Sequence, residues 1–72
     1  MREFHVEIGT EAADGTYTRL HSEPLLACNN AEAILIADEL VRKAKDRHRA
    51  SMALLIDERT AVVRAWPLNA WT

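Results

Sequence analysis

Only one stretch of this chain, Asn29 to Arg49, is long and periodic enough to form a helix, and it stands between two short segments of β pattern. A lone amphipathic helix shields one face of a sheet. How the other face is covered is therefore the problem this sequence must solve. The helix start is marked locally. Asn29 and Asn30 are both good N-caps, because a short amide oxygen accepts a bond from an orphan backbone N–H. Glu32 follows Asn29 at capping-box spacing, with Asn in place of Ser or Thr. Glu32, Asp38 and Glu39 precede Arg42, Lys43, Lys45, Arg47, His48 and Arg49, an order that complements the helix dipole. Asp38 with Arg42 and Glu39 with Lys43 are i,i+4 pairs in the favourable direction, each contributing about 0.2–0.5 kcal/mol.

At about 100° of rotation per residue, Ala33, Ile34, Ala37, Leu40, Val41 and Ala44 share one face. The three alanines let the helix approach a sheet closely. Leu35 and Ile36 fall outside this stripe. Leu35 points toward Asp38 and Arg42, and Ile36 extends the opposite edge near Leu40. Single exposed apolar residues are common. The alternative is a second apolar edge that meets another chain or the C-terminal tail.

Before the helix, Arg2 to Ile8 alternates strictly, with Phe4, Val6 and Ile8 on one side and Glu3, His5 and Glu7 on the other. Gly9 and the run to Gly15 break the pattern, and Asp14-Gly15 is a turn pair. Tyr17 to Ser22 reads as the returning strand. Its alternation is weak, as befits an edge strand, and Pro24 is expected to end it. Leu25 to Cys28 then reads as a connection packed over one end of the core. After the helix, Met52 to Ile56 and Ala61 to Trp66 form a second hairpin around Asp57-Glu58-Arg59-Thr60. No glycine or asparagine supplies a positive φ there, which favours a four-residue loop around a type I turn. Pro67 closes the last strand, and the tail after it carries Trp71.

The fold class is thus α+β, a single domain over residues 1–72 in the order β-β-α-β-β, with a four-stranded, mainly antiparallel sheet and one helix on one face. The second hairpin is apolar on both sides. Met52, Leu54 and Ile56 lie on one, Ala53 and Leu55 on the other, and Val62 and Val63 point opposite ways. A chain of this size buries only about 60% of the surface its unfolded form exposes. With one cysteine, Cys28, no internal disulfide or Cys-x-x-Cys zinc cluster can act as a staple. Association is the staple left, and twofold dimers are the commonest form of it. The expected interface draws on Leu35, Ile36, Leu55, Val62, Trp66 and Trp71, with the open face or the edge of the second hairpin meeting a second copy.

The layout resembles that of short proteins common in rhizobia and related alphaproteobacteria. The similarity is carried by Phe4-His5-Val6, the helix from Ala33 to Lys45, and Ile56-Asp57 to Val63, and it spans nearly the whole chain. It implies a fold and a bacterial source but no reaction, since those proteins have no established activity. A looser similarity is to antitoxin domains of the HicB type, where a hairpin with an Asp-Gly turn precedes a proline and an Ala/Glu-rich helix. Asp14-Gly15, Tyr17, Pro24 and Glu32-Ala33 follow that order. The Pro-Gly-Cys-like stretch of that type is replaced by Pro24-Leu25-Leu26-Ala27-Cys28, and no DNA-binding extension is read.

Three constellations bear on chemistry. His5, Glu7 and His21 would gather as metal ligands if the first hairpin pairs His5 near His21; otherwise they form a solvated strand face. Cys28 has no flanking catalytic signature. Arg42, Lys43, Lys45, Arg47 and Arg49 form a basic helix end able to touch phosphates, or else dipole-matched solvated charge. Aromatic residues do not interleave with it, and the formal net charge of −2 gives no global attraction to nucleic acid or acidic lipid. No phosphate loop or Ser/His/Asp arrangement is present, and no cofactor is implied. The expectation is a non-enzymatic cytoplasmic protein without a membrane span. It acts as a homodimer and through contacts with a protein partner of unknown identity. The alternative is a HicB-like antitoxin or nucleic-acid-binding regulatory module.

Overall fold

The computed structural model describes residues 1–48 and 50–68, the side chains of 45–48 excepted. Five elements follow one another: β1 (Arg2–Glu11), β2 (Tyr17–Ala27), α1 (Asn30–His48), β3 (Met52–Asp57) and β4 (Val62–Pro67). They build one sheet in the order β2-β1-β3-β4, antiparallel at every pairing, with α1 on one face. This is the β-β-α-β-β arrangement the periodicities predict. Burial follows the strand alternation. Phe4, Val6 and Ile8 of β1, Leu25 and Ala27 of β2, Ala53 and Leu55 of β3 and Trp66 of β4 face the helix. Ala33, Ala37, Val41 and Ala44 meet them from α1, and Ile34, Ile36 and Leu40 pack at the margins.

The helix start is built from its own sequence. The Asn29 side-chain oxygen accepts from the Glu32 N–H at 2.9 Å, and the Glu32 carboxylate accepts from the Cys28 N–H at 3.0 Å. Two otherwise orphaned donors are satisfied reciprocally. Along the exposed face, Arg42 binds Asp38 at 2.9 Å and Lys43 approaches Glu39 at 3.7 Å.

Two strand ends differ from expectation. β2 does not stop at Pro24 but continues to Ala27, so Leu25 to Ala27 are strand and not a connection. The reason is position: β2 is the outermost strand, where half of the N–H groups have no ladder partner, and a proline is tolerated. Likewise β1 runs through Gly9 to Glu11. The register slips at Ile8/Gly9, because Ile8 faces His21 while Gly9 faces Arg19, leaving Leu20 as the bulged residue. A Cβ on Gly9 would lie 2.4 Å from the Thr18 carbonyl oxygen and 2.5 Å from the Tyr17 ring. Gly9 is there because Tyr17 lies across its backbone. The hairpin closes at Gly15, with φ +88°, and the Asp14 carboxylate accepts from the Thr16 N–H at 2.9 Å.

In the second hairpin the Thr60 N–H reaches the Asp57 carbonyl at 3.0 Å, the i to i+3 bond of a β-turn. The turn still needs a left-handed residue. It falls on Thr60, with φ +64°, a β-branched side chain in a region that favours glycine. Replacing Thr60 by Gly is expected to raise stability by about 1 kcal/mol, read as a higher urea midpoint at unchanged slope.

Candidate functional site

Because Phe4, Val6 and Ile8 turn toward α1, the alternate residues of each strand form a second, open face. Across the strands the register sets two rows: Pro24, His5, Ile56 and Val62, then Ser22, Glu7, Leu54 and Ala65. The face is therefore divided. The β1 side is polar and the β3–β4 side is apolar, with Met52 and Pro67 extending it at one end. Val62 is 56% exposed, whereas Ile56 is only 7% exposed, sheltered between its neighbours. At the other end the face sinks into a cleft of about 740 Å³, with Glu3, His5, Pro24, Leu26, Asp57 and Glu58 in its wall.

The polar side is ordered. His5 Nε2 lies 3.2 Å from a Glu7 carboxylate oxygen, and the Glu7 side chain is only 17% exposed. Burial of Tyr17, followed by the negative charge of Glu7, raises the pKa of its phenol. The Tyr17 hydroxyl oxygen is shut off from solvent on the side of the Glu7 carboxylate. By the cleft, the Asp57 carboxylate accepts from the Ala61 and Arg59 N–H groups at 2.9 Å each. The Ala61 bond is the main reason its pKa lies below the usual carboxylate value. Arg2 binds Glu58 at 3.0 Å and Asn30 at 3.1 Å, and its guanidinium stacks on Phe4, tying strand, turn and helix start together.

Several sequence-predicted residues stand elsewhere. Leu55 and Trp66 are not interface residues: they are 0% and 3% exposed beneath the helix. The Trp66 indole N–H donates to Asp38 of α1 at 3.2 Å. The parity of β3 is the reverse of the expected one, so Leu54 holds the open-face position assigned to Leu55. The sequence carried one signal of this, since Ala53 is the small residue of β3 and matches the close alanine stripe of α1. Ile36 packs against the core. Leu35, 73% exposed, is on the helix layer, away from Val62, so the described residues of this set do not form one surface. Trp71 lies outside the described residues.

His5 and His21 do not converge. His21 pairs with Ile8, turns to the helix side and lies 3.7 Å from Glu23. Among the described residues no three His, Cys, Asp or Glu side chains come together as metal ligands. Cys28 is exposed, not packed over the core. In the basic helix end, Arg42 and Lys43 are each paired with a carboxylate one turn earlier. The Asp38 pKa is lowered chiefly by its bond from Arg42. The side chains of Lys45 and Arg47, and all of Arg49, lie outside the described residues. No helix of the described residues is long and apolar enough to cross a membrane. Comparison with protein families, with curated proteins and with solved structures gives no match to this chain.

Proposed function

We propose that this chain is a non-enzymatic cytoplasmic protein that acts as a homodimer and through protein contacts made by the assembled dimer. The observation that carries this is the open face itself. Met52, Leu54, Ile56, Val62 and Ala65 gather on the side of the sheet that the helix does not cover. Burying such side chains contributes about 25 cal/mol per Å² of apolar area removed from water.

The sheet edges favour face-to-face contact over edge pairing. On β2, Pro24 interrupts the row of donors that a new strand would need. On β4, Arg64 is a charge at the edge, Pro67 ends the strand, and the register slips where Val63 stands unpaired between Val62 and Arg64. Both edges are blunted, while the face is open.

The regulatory alternative, binding of nucleic acid through the basic helix end, has less behind it. Arg42 and Lys43 each stand beside a carboxylate one turn earlier, Asp38 at 2.9 Å and Glu39 at 3.7 Å. A face-to-face dimer predicts that Leu54→Glu and Val62→Glu, alone or together, lower the dimer affinity at least about tenfold while the circular dichroism spectrum is unchanged. Sedimentation equilibrium reads the first quantity. An unchanged affinity in the double variant would rule out this face.

A further inference from the structure

We propose that self-association of this chain is proton-linked, with His5 taking up the proton when two open faces meet; this rests on the dimer proposed above. The first step is size. β3 and β4 are six residues each. At about 3.3 Å per residue and about 4.8 Å between strands, they offer a patch of roughly 200 Å². A stable interface buries about 800 Å² of accessible surface per partner, so a lasting contact draws on the whole sheet face and not the β3–β4 half alone, which takes it across β1, over His5 and Glu7.

The second step is charge. Glu7 is already largely withdrawn from water, and its cross-strand neighbours, Ser22 of β2 and Leu54 of β3, carry no charge. The neighbours of His5 are Pro24 and Ile56, equally uncharged. The other ionisable groups on this side are Glu3 and Glu11 on β1, Tyr17 and Arg19 on β2, Arg19 opposite Gly9 with its charge acting on Tyr17, and Asp57 and Glu58 at the cleft, Glu58 being paired with Arg2. Carboxylates outnumber cations on this face, so two copies approach with like charge. Covering Glu7 removes its remaining water, and a carboxylate so covered needs an ion partner. His5, 3.2 Å away, supplies one only when protonated. Histidine is the side chain that changes charge between about pH 5 and 8.

The sign follows. The dimer holds protons on His5 more tightly than the monomer does, so association strengthens as pH falls through that range and weakens as it rises. Equal charge in both copies doubles the effect, because each protomer brings one His5 and one Glu7 to the contact.

Sedimentation equilibrium of the wild type, His5→Gln and Glu7→Gln at about pH 6 and about pH 8 tests this. The wild-type dissociation constant is expected to be at least about tenfold lower at the acid value. His5→Gln should dimerise with one affinity at both. It leaves His21 and His48 in place, so any effect of theirs would persist in it. Glu7→Gln should dimerise tightly at about pH 8, because the charge that needs compensation is gone. A wild-type dimer of equal affinity at the two values, or a His5→Gln variant with undiminished pH dependence, would overturn the proton link and leave the dimer standing. A monomer at both values would overturn the dimer and the link together. Circular dichroism shows that each variant is folded, which keeps the comparison decisive.

Discussion

Leu55→Glu is expected to remove a large part or all of the stability of the folded state at room temperature. Leu55 is fully buried and among the largest such side chains in the protein. Its neighbours on the sheet are Val6 and, past the strand, Arg64, and the helix closes over it. A carboxylate placed there loses its hydration and leaves the core without the leucine volume, at a cost of at least about 4 kcal/mol. A domain of this length is stable by roughly 4–11 kcal/mol, so a large part or all of it is lost. Far-ultraviolet circular dichroism with urea titration measures it. The adjacent residue makes the contrast: Leu54→Glu, on the open face, is expected to keep the fold and lose association. Equal destabilisation by the two substitutions would mean that the two sides of β3 are alike in burial.

Gly9→Ala is expected to cost about 3 kcal/mol, a large share of that stability for one methyl group. The new Cβ would lie 2.4 Å from the Thr18 carbonyl oxygen and 2.5 Å from the Tyr17 ring. The ring can swing away, but the carbonyl belongs to the backbone of β2 and moves only with the strand. Tyr17→Ala in the Gly9→Ala background should therefore fail to restore stability. Denaturation midpoints at one protein concentration, held fixed because a dimer makes stability concentration-dependent, give both results. Full recovery in the double variant would place the whole conflict on the ring.

Most of the architecture was legible because it rests on local periodicity. The alternation of Phe4, Val6 and Ile8 set the buried side of β1, and the alanine stripe with Val41 set the buried side of α1. The Asn29–Glu32 cap was visible as spacing and is present as two hydrogen bonds. What was not legible depends on neighbours. Pro24 reads as a strand end until β2 is known to lie at the sheet edge. Cross-strand pairing decides that His21 faces the helix side while His5 does not, and a one-residue register slip would exchange them. The same holds for β3, where both sides are apolar in sequence, Ala53 is a weak hint, and pairing with β1 assigns Leu55 to the core and Leu54 to the open face. The close approach of Tyr17 to Gly9 joins residues across a hairpin bulge, and no local pattern announces it.

The positive φ at Thr60 belongs to the same lesson. The absence of glycine or asparagine from Asp57 to Thr60 pointed to a turn without a left-handed residue, yet the hairpin takes one and places it on a threonine. The Asp57 carboxylate compensates by binding two N–H groups inside the turn. Tertiary pairing of β3 with β4 outweighs a local backbone cost of about 1–3 kcal/mol.

Light scattering on the chromatographic peak of the wild-type protein at high micromolar concentration, at about pH 6, tests the proposed dimer most directly. Two open faces in contact predict a mass of twice the 8.1 kDa chain. A single 8.1 kDa species at that concentration would contradict it.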